Sequence, residues 1–525
     1  MGPVRRLLIA LAGGATLSLA FPGFGLWLLA PIAVASLGWA TSGVRARMGF
    51  ATGLLFGLAF FVPTLSWSGS FLGVVPWSAL AICQALFVGA LGWGSALLQP
   101  HGVRPVVVAL AWVAQEAVRD RFPYGGFPWV RLAFSQADSP FAHVAAVGGA
   151  PAVTFLVALC GGLLAYAAQT AYRAARTMPR AGGDGPASPP SAPHRRALLG
   201  LVGALGCLLG GLAVPLPTDG FAARVLAVQG NVPRPGLDFN AERRVVLDNH
   251  VSVTISGAQR ERDAGRPDAD LVVWPENASD IDPTRNPDAA AAIERAVTAA
   301  NAPILLGGLL EEPAPRVSNA SLLYAPGAGL VGRYVKQHPV PFAEYIPDRE
   351  FFRKISSQVD LLRTDFAAGP GPVLFRIPAR RGSDIVAGPS ICFEVAYDEL
   401  VRANVALGAN LLIVQTNNAT FGFTNESVQQ LAISRIRAIE HGRSVVHVST
   451  VGVSALILAD GTLLMPTSLF TPAALAADLP LRAELTLASR VGAWPEYAGV
   501  LVLLGLFARG AVTALLERYR KDPSR

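Results

Sequence analysis

The stretch Gly388-Pro389-Ser390-Ile391-Cys392-Phe393-Glu394-Val395 lies between an apolar run, Ile385–Ala387, and a helical pattern that begins near Tyr397. A strand that runs into a helix through a cysteine presents the thiol at a strand-to-helix turn, where helix-end N–H groups lower a thiol pKa. The commonest fate of a free cysteine is burial in the core, so the reading depends on what accompanies Cys392. The other cysteines, Cys83, Cys160 and Cys207, sit inside apolar runs, where a cysteine behaves as a small hydrophobe. Cys392 is the one cysteine outside the expected membrane spans. No disulfide framework and no metal-ligand spacing emerges, so neither a metal nor a cofactor is expected.

Two further segments accompany it. Leu271-Val272-Val273-Trp274-Pro275-Glu276-Asn277 reads as a buried strand ending on a carboxylate, with proline breaking the ladder just before it. A glutamate there is partly desolvated, which raises its pKa and suits it to act as a base; the plainer alternative is a strand-end Glu paired with an Arg. In Arg333-Tyr334-Val335-Lys336-Gln337-His338-Pro339 and the following Val340-Pro341-Phe342-Ala343-Glu344-Tyr345, Lys336 ends a strand and enters a loop rich in proline and aromatics. An ammonium there stabilises a developing oxyanion. The plainer reading, a solvated strand-end lysine, is weakened because Lys336, Lys354 and Lys521 are the only lysines in the chain. His338 is a competing base and ranks below Glu276.

Composition places this site beside a membrane. The 525 residues are 52% hydrophobic and only 15% charged, against about a quarter charged in soluble proteins. Span candidates fall near 6–22, 24–41, 48–68, 75–98, 105–118, 141–169, 197–216 and 496–516. Basic residues cluster at Arg5 and Arg6, Arg45 and Arg47, Arg104, the segment 173–196 and the tail. By the positive-inside rule these faces are cytoplasmic, and seven crossings carry residues 222–490 to the outer side. Arg119, Arg121 and Arg131 break the alternation; contact with phospholipid headgroups and a salt bridge to the soluble domain are the two explanations weighed. Because the basic residues follow topology, nucleic-acid binding is disfavoured despite the net charge of +7. The expected organisation is a transmembrane domain of about seven helices over 1–216, with a disordered cytoplasmic linker near 173–196. A catalytic domain over 222–490 and a last span at 494–516 complete it, for about eight spans in all.

Residues 222–488 alternate strand-like and helical patterns, an α/β domain. Strands are expected at Ala223–Val228, Leu271–Trp274, Ile304–Leu309, Leu322–Tyr324, Gly332–Lys336, Ile385–Ile391, Leu411–Gln415, Val445–Ser449 and Ser454–Leu458. Helices are expected at 241–264, 287–300, 396–407 and 426–441, the last with Asn425 as N-cap and Gly442 beyond its end.

In this order the three segments resemble the nitrilase superfamily of carbon–nitrogen hydrolases, with its Glu–Lys–Cys triad. Thr416-Asn417-Asn418-Ala419-Thr420-Phe421-Gly422 fits that family's stretch after the cysteine. The resemblance implies an αββα sandwich, with Glu276 as base, Lys336 as oxyanion stabiliser and Cys392 as nucleophile. Glu344 is similar to the superfamily's additional active-site Glu, and Glu394, Asn319 and Tyr345 are expected as supporting residues.

With the spans included, the layout resembles the apolipoprotein N-acyltransferase family of bacterial envelopes. Tyr124-Gly125-Gly126-Phe127-Pro128-Trp129, Ser135-Gln136, Val228-Gln229-Gly230-Asn231-Val232-Pro233 and Ser318-Asn319 are similar to its motifs. That resemblance implies acyl transfer from a phospholipid donor, through a cysteine thioester, to the α-amine of a diacylglyceryl apolipoprotein. It places the enzyme in the inner membrane with its catalytic domain on the periplasmic side, and we expect a monomer. The nearest alternative is a membrane-tethered amidohydrolase; a transporter or receptor is the rival from another class. Three positions depart from the family: Phe393 replaces a frequent Tyr, Phe239 replaces a Trp, and Ser449-Thr450-Val451-Gly452 lacks the usual Asn pair.

Overall fold

The computed structural model describes residues 2–70, 73–177, 192–232 and 242–521. Phe239 and most of the expected linker lie outside the described residues. The chain divides into two compact units. One comprises Met1–Ser66, Val74–Pro215 and Val491–Arg525, the other Trp67–Gly73 and Leu216–Arg490.

The first unit is helical: α1 Pro3–Ala20, α2 Leu29–Thr41, α3 Ala46–Thr64, α4 Val74–Leu98, α5 Pro105–Arg119, α6 Ala145–Thr177, α7 Ala192–Gly210 and, last in the chain, α14 Trp494–Lys521. Large apolar side chains such as Leu8, Leu86, Leu201 and Leu501 point outward, the reverse of a soluble bundle and the pattern of a membrane protein. Among the described residues, six helices are long and apolar enough to cross a membrane. The two others that occupy expected spans are shorter, α2 with 13 residues and α5 with 15.

The three arginines that break charge alternation are absorbed within this unit. Arg131 is buried against Asp120 at 3.1 Å and Glu116 at 3.6 Å. Arg119, also buried, donates to the Phe127 and Trp129 carbonyls, and Arg121 pairs with Glu496 at 2.6 Å. Each cation thus has an acidic or carbonyl partner within this unit.

Among the described residues the second unit holds twelve strands. In chain order they are β1 Phe221–Gln229, β2 Leu271–Val273, β3 Ile304–Leu310, β4 Ser318–Ala325, β5 Gly329–Val335, β6 Phe375–Ile377, β7 Ile385–Ile391, β8 Leu411–Thr416, β9 Ser444–Ser449, β10 Ala455–Ile457, β11 Leu463–Leu464 and β12 Ala473–Leu481. They form two six-stranded sheets, ordered β12-β1-β2-β3-β4-β5 and β11-β10-β9-β8-β7-β6. Side chains alternate between faces along each strand. Val225 and Ala227 of β1 therefore enter the core between the sheets with Val273, Leu305, Ile391, Ile413 and Val448. Leu226 and Val228 face outward, onto Leu247 and Val251 of α8 (Arg243–Asp263) and beside Ile293 and Val297 of α9 (Pro287–Ala300). Two short helices, α10 Arg349–Arg353 and α13 Leu487–Val491, are peripheral. α11 Asp398–Ala406 and α12 Glu426–His441 cover the second sheet through β7 and β9. The result is the αββα sandwich. β2, β7, β8 and β9 are buried on both faces, which explains why these segments read as largely apolar runs.

Three strands were not read from the sequence: β6, β11 and β12. β12 pairs antiparallel with β1 along its whole length, yet its alanine-rich Ala473–Leu481 carries little strand signal. Asn425 precedes α12 but makes no side-chain cap, whereas Gly442 ends the helix at φ 61°.

Candidate active site

Glu276, Lys336 and Cys392 follow the ends of β2, β5 and β7. Glu276 is reached through Trp274-Pro275, and the chain crosses β3 so closely that only glycine fits. A Cβ on Gly307 would lie 2.4 Å from the Pro275 carbonyl and 2.6 Å from Glu276 Cα. Glu276 is buried. Its Oε1 accepts from Asn319 Nδ2 at 2.6 Å and stands 3.5 Å from Lys336 Nζ. Lys336 is buried too, and its ammonium donates to Glu344 Oε1 at 2.7 Å. Glu344 is fixed in turn by the Val340 N–H at 2.7 Å. Asn319, on β4, also reaches Glu344 at 3.4 Å, so one amide spans both carboxylates.

Cys392 has φ 53°, a left-handed conformation that a non-glycine residue adopts only where its surroundings enforce it. Glu394 supplies the enforcement. Its carboxylate is fully buried and accepts from the Ile391 N–H at 2.7 Å, the Gln337 N–H at 2.7 Å, the His338 N–H at 3.2 Å and the Tyr334 hydroxyl at 2.9 Å. The turn bearing the nucleophile and the loop bearing Lys336 are thus clasped by one side chain. Gln415 does the same between the sheets: its amide donates to the Trp274 carbonyl at 2.6 Å and its oxygen accepts from Ser321 at 2.5 Å. Spacing between base and nucleophile is set by that strut.

The electrostatics divide the roles. Burial pushes Glu276 above the ordinary carboxylate range; Lys336 opposes this, and Glu344 adds to it. Burial works against the charge on Lys336, but Glu344, Glu276 and Cys392 outweigh it and hold the ammonium charged. The Cys392 thiol is pushed up by burial and by Glu276, with Lys336 pulling the other way. This corrects the expectation of a thiol acidified by a helix end. A 3-10 turn, Cys392–Ala396, separates the sulfur from α11, and the half-buried thiol lies near carboxyl groups. A neutral thiol needs a base, and Glu276 is the carboxylate whose charge acts on it most strongly.

The remaining expected residues divide. Glu344, Asn319 and Glu394 touch the triad or its loops directly. Tyr345 contributes its backbone, its carbonyl accepting from the Phe342 N–H at 2.7 Å. His338 stacks on Tyr397 with ring centroids 4.2 Å apart. Sequence reading missed Gln415 and Gln430 and gave Thr416, quoted in the family-like stretch, no role of its own; Thr416 and Gln430 lie 3.4 and 3.6 Å from the Cys392 sulfur. The one available signal was a polar run, Glu426-Ser427 and Gln429-Gln430, opening a helix whose described residues are nearly all buried.

Known proteins share this architecture. Residues 13–163 match the model for the apolipoprotein N-acyltransferase N-terminal domain, and residues 227–484 match the carbon-nitrogen hydrolase model. An apolipoprotein N-acyltransferase of Mycolicibacterium smegmatis is 39% identical over 95% of this chain and 83% of its own length. One from Azotobacter vinelandii is 31% identical over 95% and 93%. Among solved structures, a C145A mutant of the Nesterenkonia AN1 amidase from the nitrilase superfamily aligns with 50% of this chain and 93% of its own, at 16% identity and a TM-score of 0.37. On the extent of the first two likenesses, the chain is an enzyme that belongs to the apolipoprotein N-acyltransferase family.

Proposed function

We propose that this protein moves a fatty acyl chain from a membrane phospholipid, through a thioester on Cys392, to the α-amine of an apolipoprotein's N-terminal diacylglyceryl-cysteine. The reading places the reaction at the outer face of the bacterial cytoplasmic membrane, with the protein acting as a monomer. One observation carries it above the others. A neutral, half-buried thiol, a desolvated carboxylate and a fixed ammonium meet at strand ends, in a chain whose relatives are named apolipoprotein N-acyltransferase.

In the first half-reaction Glu276 takes the thiol proton, and the Cys392 thiolate attacks the ester carbonyl carbon. Negative charge gathers on the carbonyl oxygen, where the Lys336 ammonium stabilises it. Collapse breaks the ester C–O bond, and the departing alkoxide takes the proton back from Glu276 to leave as lysophospholipid. In the second half the acceptor's α-ammonium gives a proton to Glu276, and the free amine attacks the thioester. Expulsion of sulfur forms the amide. Of the two protons lost from nitrogen, one returns through Glu276 to Cys392 and the other passes to water. Positioned acid–base groups of this kind contribute roughly 10²- to 10⁴-fold. Both substrates are lipids, which fits exposed aromatic side chains on the site's loops, Phe342 and Phe423 among them.

The test is the intact mass of the full-length protein incubated with phospholipid vesicles and no acceptor. Wild type gains one acyl chain that hydroxylamine removes, and Cys392→Ser accumulates no thioester. Addition of a diacylglyceryl-cysteine peptide then discharges the enzyme and acylates the peptide. Free fatty acid with an unmodified peptide would overturn the transferase reading in favour of a hydrolase.

A further inference from the structure

The sulfur of Cys392 has neighbours besides the triad, supplied by β8 and α12. Thr416 Oγ1 lies 3.4 Å from it and Gln430 Nε2 lies 3.6 Å from it, both within range of a hydrogen bond to sulfur. The orientation of the Gln430 amide is fixed by a chain of bonds. The Gly452 N–H donates to Ser449 Oγ at 2.8 Å, and Ser449 passes its own proton to Asn418 Oδ1 at 2.5 Å. Asn418 therefore turns its Nδ2 the other way, donating one hydrogen to Glu426 Oε2 at 2.6 Å and the second to Gln430 Oε1 at 3.0 Å. With its oxygen held by Asn418, Gln430 points its N–H groups toward the sulfur. Glycine at 452 is required for this: a Cβ there would lie 2.1 Å from Asn418 Oδ1 and 2.7 Å from Ser449 Oγ. Ser449 and Gly452 belong to the segment that departs from the family's Asn pair.

Proton counting separates two states. Thr416 has one hydroxyl hydrogen and two acceptors, Gln430 Oε1 at 2.7 Å and the sulfur. While Cys392 is a neutral thiol the shorter bond to Gln430 takes it. Once Glu276 has removed the thiol proton, the sulfur carries the charge and becomes the stronger acceptor. The hydroxyl then rotates to it, and Gln430 Oε1 keeps its bond from Asn418, so no buried acceptor is stranded.

We propose that Thr416 and Gln430 are a further pair of catalytic residues that donate hydrogen bonds to the Cys392 thiolate, with Asn418 and Glu426 as the positioning residues that aim them. This rests on the reading of Cys392 as the nucleophile. The pair addresses the sulfur, whereas the Lys336 ammonium, engaged by Glu344 and Glu276, addresses the carbonyl oxygen. The charged and titratable groups around the sulfur are Glu276, Lys336 and Glu426; of these only Lys336 favours a thiolate, which is why neutral donors are needed.

Alkylation of Cys392 by iodoacetamide tests the pair without any lipid or acceptor. The full-length protein in detergent is followed by mass spectrometry of the Cys392 peptide across about pH 6 to 10. Thr416→Val and Gln430→Met are close to isosteric, and each is expected to slow alkylation at neutral pH by about tenfold, the equivalent of one pH unit in the thiol midpoint. Thr416→Ser restores the native profile. Thermal unfolding identifies any variant that has not folded, and either substitution alone suffices for the reading. Profiles of folded variants that superimpose on wild type overturn the proposal. A shifted profile in a protein that transfers no acyl chain would support the pair while overturning the proposed substrates.

Discussion

Lys336 and Glu344 form the tightest ion pair of the site, Nζ to Oε1 2.7 Å, while Lys336 stands 3.5 Å from the base Glu276. The ammonium is therefore anchored by a carboxylate other than the one that must shuttle protons. Glu276 keeps an oxygen free for the thiol, and Lys336 holds its position through both half-reactions.

Glu344→Gln removes the anchoring charge and leaves Glu276 as the nearest anion. Lys336 then draws toward the base and depresses its basicity. Thioester formation in a single turnover is expected to fall about 10- to 100-fold, about 1.4–2.7 kcal/mol in the barrier. Stopped incubations read by intact mass measure it.

Gly307→Ala pushes a methyl group into the Pro275 carbonyl and the Glu276 backbone. Overpacking of this kind costs about 1–3 kcal/mol. The base is displaced and the thiol is not, so thioester formation should drop well beyond any loss in iodoacetamide labelling of Cys392. Equal losses in both would show that the strand crossing does not position the base.

Glu394→Gln sets an NH₂ group against at least one donor that now meets an oxygen. Hydrogen bonds to a buried charged group are worth about 1.5–3 kcal/mol each, and the Ile391 and Gln337 N–H groups have this carboxylate as partner. A lower unfolding midpoint and slower labelling of Cys392 are expected together. Tyr334→Phe removes one neutral donor and should cost about 1 kcal/mol.

Glu426→Gln tests the buried carboxyl of α12 through stability. Burial raises Glu426 to about 8, above the ordinary carboxylate value of about 4.3. The folded state therefore retains a proton that the unfolded chain releases, and stability present below about pH 4 is lost as pH rises toward 8. Glutamine has no such titration. The unfolding midpoint of Glu426→Gln should match wild type in acid and exceed it increasingly toward pH 8, by at most about 1.4 kcal/mol per pH unit. A difference that does not change with pH would mean that Glu426 is ionised throughout.

Much of this was legible from three short segments. Glu276 and Cys392 each follow a strand buried on both faces, β2 and β7, whereas Lys336 follows the partly exposed β5 and stood out because lysine is so rare in the chain. Glu344 and Asn319 became visible through family likeness, since nothing local marks them. The Thr416–Gln430 pair was hidden because its members are separated by a loop and lie on a strand and a helix. Polar residues on a buried helix face look like solvent-facing ones until the fold supplies their partners. The thiol pKa was misread for a related reason: local order suggested a helix end, and the opposing burial is a tertiary fact. The partners of Arg119, Arg121 and Arg131, which include Glu116, Asp120 and Glu496, were not legible because such pairing leaves no mark on sequence periodicity.

The bond from Arg121 to Glu496 joins residues 375 positions apart in the chain. Everything between β1 and α13 is synthesised after Arg121 and before Glu496. The helical unit is thus interrupted by an entire sandwich and closes only when translation has passed it. α5 waits for α14 throughout that interval, so the catalytic unit has its full sequence before the helical unit has its own. A nascent chain stopped after residue 490 would carry every member of the triad and still lack the carboxylate that fastens the end of α5.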